Sequence, residues 1–332
     1  MVKLKDVAKA AGMSVTQVSR ALNDYDDVNE ETKLRIKAVA KELGYVKNTT
    51  AQKLATGTSN QVALVIKGLD NESNFVEYNS IYPILCGINA YISTLPYEIV
   101  IYILQEKIHS YLDYFNDKGI KNAILFGFNY DDEGFEELIN SSLCCVCIDI
   151  PIEGDNKGCV ITNNTFYSTQ IVDHMFKSGK EHIAMINGTP HAIVSMEREA
   201  GYRVALQKNK KVVDDTLILN GEFQESIAHD LTLELIEKHP EVDAIFCASD
   251  YMAVGCMTAI KSLGKRIPED IAVAGFDDVP LARYVAPALS TVSQDDYKKG
   301  YTSAELIISL MKNEAATKTI LMNCDIKIRQ ST

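Results

Sequence analysis

The sequence predicts two kinds of fold in one chain: a small all-α helix-turn-helix domain, then α/β structure as two Rossmann-like parallel-sheet lobes. Three observations predict this. The first fifty-eight residues read as three short helices with a tight turn between the first two. From Gln61 onward, short apolar strands alternate with amphipathic helices, and that strand series runs twice. At 332 residues the chain is too long for one compact core and fits two or three domains.

Charge divides the chain at the same place. The net charge is −12, yet residues 1–58 hold ten Lys/Arg and seven Asp/Glu, whereas the remainder holds 23 and 38. A head of +3 on a body of −15 is the asymmetry expected when only the head meets phosphate. The N-terminus MVKLKDVAKA lacks an apolar h-region, which argues against export, and no apolar run is long enough to span a bilayer. Cys144, Cys145 and Cys147 share one β-like run, and the other five cysteines are scattered. No C-x-x-C pairs face each other and no His sits at ligand spacing, so the cysteines are expected to be reduced core residues, with no metal and no cofactor.

In the head, Val7, Ala8 and Ala11 share a face of a helix over 4–11, and Gly12 suits its left-handed stop. Ser14 and Gln17, three apart, form a capping box that opens a helix over 15–22. A third helix starts at Asn29, carries Glu30 and Glu31 in its first turn, shows an apolar stripe of Ile36, Val39 and Leu43, and ends at Gly44. With Val18 and Leu22 inward, Val15, Thr16, Ser19 and Arg20 point outward. In a helix-turn-helix these side chains meet DNA: Arg20 suits guanine or phosphate, Thr16 a hydrogen bond or a thymine methyl, and Val15 an apolar contact. From pattern alone, an αα-hairpin with a solvated polar face fits equally well.

In the body, QVALVIKG, YEIVIYIL, NAILFGF and CCVCIDI form one strand series; a second begins near CVITNN and continues through HIAMING, TLILNG, DAIFCAS and IAVAGFDD. Near-continuous apolar strands mean sheets covered on both faces, and ligands of open α/β sheets sit beyond the strands' carboxyl ends. G-x-G-x-x-G after a strand, G-x-x-x-x-G-K-[ST] and G-x-S-x-G are absent, and no nucleophile–base constellation is visible. The residues therefore supply no reason to read an enzyme.

LKDVAKAAGMSVTQVSRALN followed by VNEETKLRIKAVAKELGY resembles the headpiece of LacI/GalR-family transcription regulators, over some forty residues and with high specificity. The resemblance implies base contacts from Val15, Thr16 and Arg20 and phosphate contacts from Ser19, Asn23 and Tyr45. Gln17, which stands where the family usually has Thr, is expected to donate to phosphate. The segment from Asn48 to Ala55 resembles the family's hinge helix, with Ala51 against the minor-groove floor and Leu54 as the wedge; Lys47 replaces a frequent Pro before it. Free of DNA, so short a helix is marginal, and the segment also reads as a linker.

The body resembles the family's periplasmic-binding-protein-like core. MEREAGYRVAL implies Arg198 in the cleft; CASDYMAVGCMTAIKSLGKRIPEDIAVAGFDD implies Ser249 and Asp277; NGEFQES implies Phe223; CIDIP implies Asp149; and APALSTVSQD resembles a strand crossing between lobes. Arg198 donors and an Asp277 acceptor can hold vicinal hydroxyls while Phe223 stacks on a sugar face. Taken singly, Arg198 could pair with a neighbouring Glu on an exposed helix, Asp277 could cap the segment after its strand, and Phe223 could be core. Residues 68–82 depart most from the family, with Tyr78 and Tyr82 as ligand contacts or lid packing.

The expected boundaries are 1–46 for the headpiece, 47–60 for hinge helix and linker, 61–160 plus 290–318 for the N-terminal lobe, and 161–289 plus 319–332 for the C-terminal lobe. The resemblance implies a cytoplasmic homodimer or higher oligomer, a near-palindromic double-stranded DNA operator, and a small-molecule effector, a sugar first by family precedent. Two rivals share the α/β core: a solute-binding protein without DNA affinity, and an enzyme acting on sugars or nucleosides.

Overall fold

The computed structural model describes residues 2–22, 25, 27–45, 60–69, 80–105, 108 and 110–332. The chain forms two compact units, Met1–Asn60 and Gln61–Thr332. Asn23, Asn48, Ala51, Leu54 and Tyr78, with all but the last residue of the expected 47–60 hinge, lie outside the described residues.

In the first unit, α1 (Leu4–Ala11) stops where Gly12 turns left-handed at φ 66°. The turn leads into α2 (Val15–Leu22) through a reciprocal capping box. The Gln17 backbone N–H donates to Ser14 Oγ at 3.2 Å, and the Ser14 N–H donates to Gln17 Oε1 at 3.3 Å. Asn29 starts α3 (Glu30–Glu42) by accepting the Thr32 N–H at 2.8 Å, a cap worth about 1 kcal/mol. Val7, Ala8, Ala11, Val18, Ala21, Ile36 and Ala40 close the core, with Leu22 and Val39 packed at its margin. Leu43 departs from the expected stripe and is 39% exposed, because the helix ends at Glu42 and Leu43 is its cap residue; Ala40, one turn after Ile36, fills that place.

In the second unit, β1 (Gln61–Lys67), β2 (Glu98–Leu104), β3 (Asn122–Phe126), β4 (Cys144–Ile148), β5 (Lys157–Thr162) and β11 (Thr319–Met322) form one sheet in the order β11-β5-β4-β3-β1-β2. A second sheet holds β6 (Ile183–Asn187), β7 (Ile218–Asn220), β8 (Ala244–Cys247), β9 (Ala272–Asp277), β10 (Ser290–Ser293) and β12 (Asp325–Lys327), in the order β12-β10-β9-β8-β6-β7. Both sheets share one winding order. In each, the order reverses beside the first strand, which is where α/β sheets bind ligands. Pairing is parallel except at β12, which runs antiparallel to β10.

The near-continuous apolar runs follow from this covering. Val62, Leu64 and Ile66 face one core of the first sheet while Ala63 and Val65 face the other. Cys144 packs into the first of these cores and Cys145, Cys147 and Cys159 into the second, all as free thiols.

Strand pairing corrects the expected lobe boundaries. The CVITNN strand is β5 and pairs with β4, so the first lobe runs through Thr162 rather than stopping at 160. β10, expected in the N-terminal lobe, pairs with β9 in the second sheet, whereas β11, expected in the C-terminal lobe, pairs with β5 in the first. The cause is that the chain crosses between sheets three times, after β5, after β10 and after β11. A strand belongs with its hydrogen-bonding partners and not with its neighbours in sequence. After the second crossing, α11 (Asp296–Met311) returns to the first sheet and packs against α4 (Ile81–Ile92). Gly87 and Gly300 permit that approach, since a Cβ on either would fall 2.0 Å from a backbone oxygen of the other helix.

Candidate functional site

In the helical unit, Val15, Thr16 and Gln17 are exposed at the start of α2, and Ser19 and Arg20 are half-buried on the next turn. Gln17 spends its side-chain oxygen on the capping box, accepting from both the N–H and Oγ of Ser14, which leaves its amide NH2 as its donor group. Tyr45 is half-buried against the helical core. Arg20 makes a two-pronged pair with Asp27, Nε to Oδ1 at 3.1 Å and Nη2 to Oδ2 at 2.7 Å, and its guanidinium lies 4.7 Å from the Tyr25 ring centroid. Sequence reasoning missed Asp27 and Tyr25, because the turn between α2 and α3 carries no periodicity.

In the α/β unit, a cleft of about 390 Å³ opens at the carboxyl ends of both sheets. It is lined by all five expected effector residues, Asp149, Arg198, Phe223, Ser249 and Asp277. Asp149 directly follows β4 at φ 61°, and Asp277 ends β9 at φ 113°. Such conformations cost about 1–3 kcal/mol each and persist where surrounding contacts over-determine them. The contact at Asp277 is visible: buried Asp250 accepts the Val279 N–H at 2.9 Å and the Thr291 hydroxyl at 2.6 Å, strapping down the turn that follows β9. Burial, reinforced by Asp277, holds the Asp250 carboxyl well above the usual range.

Arg198 sits on α8 (Ile193–Lys208) and is only 4% exposed, unlike an arginine on an open helix. Its Nε donates to Asn164 Oδ1 at 3.1 Å, one Nη donates to the Ala248 carbonyl, and the other lies 3.5 Å from Asp277. Its guanidinium carbon stands 3.8 Å over the Phe276 ring. The expected open fork is therefore largely engaged by the protein itself. Phe223 packs on the core while lining the cleft; its ring occupies the space where Gly188 has no Cβ. Ser249 caps α10 (Asp250–Ser262) by accepting the Met252 N–H at 3.3 Å.

Among the cleft residues that were not expected are Gln294, Asp296 and Lys299. Lys299, 2% exposed, donates to both Asp149 oxygens at 2.9 and 3.0 Å and to Gln294 Oε1 at 2.9 Å. Gln294 lies in the second crossing and donates its amide to Asp277 at 2.8 Å, so one chain of contacts joins Asp149, Lys299, Gln294, Asp277 and Arg198. Burial alone would lower the Lys299 pKa, but Asp149 and Asp296 outweigh it and the net shift is upward. Asp296 is pushed up to about 7, by burial first and by Asp277 and Asp149, against the pull of Lys299 and Arg198. A usable signal was present in DDYKKG: Asp296 and Lys299 are three apart on one helix face, directly after the crossing strand.

A carboxyl raised in the folded state favours folding when protonated. Stability therefore rises as pH falls through 7, and the gain is complete below the unfolded value near ~4. Asp296 is expected to add about 1 kcal/mol between pH 8 and pH 6. Urea melts of parent and Asp296→Asn at both pH values test this; identical pH slopes would assign the effect to other groups.

A profile described as bacterial regulatory proteins, lacI family, matches residues 3–48, and one described as a periplasmic binding protein-like domain matches residues 172–332. The HTH-type transcriptional regulator MalR of Clostridium butyricum is 26% identical over 332 residues, covering 99% of this chain and 98% of that protein. A solved transcriptional regulator CelR–cellobiose complex is 26% identical, has a TM-score of 0.74 and covers all of both chains. The Lac repressor dimer bound to operator and the anti-inducer ONPF has a TM-score of 0.84 at 23% identity, covering 99% and 98%, a likeness of fold. With a lacI-family profile on residues 3–48 and a periplasmic-binding-protein-like profile on residues 172–332, in that order along a single chain, the protein carries a LacI-type helix-turn-helix domain and a periplasmic-binding-protein-like sensor domain, the two parts of a DNA-binding transcription regulator.

Proposed function

We propose that the protein is a cytoplasmic repressor whose affinity for DNA is set by a small polyhydroxylated molecule, of the sugar class, held between the two sensor lobes. It acts as a homodimer on a near-palindromic operator and catalyses no reaction. Val15, Thr16 and Arg20 address base edges, and Gln17, Ser19 and Tyr45 the phosphates, with Asn23, Asn48, Ala51 and Leu54 adding the contacts expected of them. Asp149, Arg198, Phe223, Ser249 and Asp277 form the effector site.

The observation that carries this reading is the cleft itself. Two sheets of identical winding direct their strand ends into one cavity, which carries carboxylate acceptors, a buried guanidinium and an aromatic ring. Cellobiose in the CelR complex is consistent with a sugar here. A ligand that favours one arrangement of the lobes shifts the population between them, and that shift changes DNA affinity by the same coupling free energy.

The experiment is a melting-temperature panel of sugars on the full chain, followed by mobility shift of operator DNA with and without the hit. A ligand at 100 times its Kd is expected to add about 2.7 kcal/mol. Asp277→Ala is expected to abolish both the melting shift and the change in DNA affinity, while leaving ligand-free DNA binding intact. Sugar binding without salt-dependent DNA affinity would make the protein a solute receptor, and turnover of the hit would make it an enzyme.

A further inference from the structure

The charged side chains lining the cleft do not balance. Among the described residues, Asp149, Glu222, Asp277 and Asp296 line it against Arg198 and Lys299. Both cations are already engaged. Lys299 is wrapped by Asp149 and Gln294, and Arg198 is spread over Asn164, the Ala248 carbonyl, Asp277 and the Phe276 ring. Neither is placed to take an anionic ligand without breaking a buried pair, a change that leaves a partner uncompensated.

Asp296 is the opposite case. Its side chain is 16% exposed, and its sole polar partner among the described residues is Lys299 Nζ at 4.0 Å, beyond hydrogen-bond distance. It starts α11 at the point where the chain enters the first lobe, with Asp149 from β4, Asp277 from β9 and Arg198 from α8 as the other charged groups around it. A half-buried carboxylate that opens on the cleft with no hydrogen bond from the protein is placed to accept a ligand donor, and a surplus of acidic over basic side chains favours a positive one.

We propose that the effector is an amino sugar, a polyol whose ammonium group binds Asp296 while its hydroxyls meet Asp277 and Asp149. This rests on the sugar-class reading of the cleft and narrows it. The ammonium supplies the donor that Asp296 lacks and brings the cleft closer to charge neutrality. Sugar phosphates and uronic acids are excluded by the same surplus. A neutral sugar leaves Asp296 either unpaired or protonated, so amine and neutral ligands respond to pH with opposite sign. Protonation of Asp296 weakens the first and favours the second.

The test uses the full chain and calorimetric titration at pH 7.5 and 6.0 with D-glucosamine, D-galactosamine and D-mannosamine. Each is set against its neutral parent hexose, and against glucose 6-phosphate and glucuronate. The expected result is that at least one amine binds ten-fold or more tighter than its parent at pH 7.5 and several-fold weaker at pH 6.0. Asp296→Asn is expected to remove that preference. If a neutral or anionic sugar binds as well as every amine, the inference falls while the cleft remains a sugar site. If none of the sugars binds, the inference and the sugar-class reading fall together.

Discussion

Replacing Lys299 with alanine is expected to destabilise the sensor by about 3–5 kcal/mol, the cost of leaving a buried partner uncompensated. In a unit of this size that lowers the melting temperature by on the order of 10 °C. Asp149 would lose the donor shared by both its oxygens, and Gln294 would lose one of the contacts that fixes the second crossing. The double variant Lys299→Met with Asp149→Leu separates charge from packing. Removing both ions together is expected to restore most of the stability, because apolar replacements of a buried pair are often neutral. A loss below 1 kcal/mol for Lys299→Ala would show that the ammonium is not held as the contacts indicate. Effector binding should fail in the double variant even where stability returns, since Asp149 lines the cleft.

Arg20→Ala is expected to cost about 1–3 kcal/mol of discrimination at one operator base pair, a ten- to hundred-fold loss, with no change in effector affinity. The motive is its position one turn into α2, behind exposed Val15, Thr16 and Gln17, with its guanidinium held flat by Asp27 and Tyr25. Arg20→Lys is not expected to restore discrimination, because a point charge cannot reproduce a bidentate fork. Competition binding against operators altered at each position in turn reads this directly. An unchanged preference at every position would remove Arg20 from the base edges, whereas a uniform loss across sequences would move it to a phosphate.

Local chemistry in the sequence was sufficient for the helical unit. Gly12, the Ser14–Gln17 box and Asn29 act on backbone groups within four residues of themselves, so their effect does not depend on the rest of the fold. The apolar strands were equally plain, because both faces of each sheet are covered. Asp149, Arg198, Phe223, Ser249 and Asp277 were reached through motif resemblance, and the cleft gathers all five.

Which lobe β10 and β11 join was outside the reach of sequence reasoning, since a strand's partner is chosen by hydrogen bonding across the sheet. The same holds for Arg20 with Asp27. Lys299 and Asp149 are 150 residues apart and meet only because the chain crosses between sheets. The sequence by itself determined the local elements, their caps and the two-sheet plan, whose causes are short-range or periodic. The tertiary structure alone decided which charges share the cleft, because charge pairing depends on distance in space, and burial sets its strength.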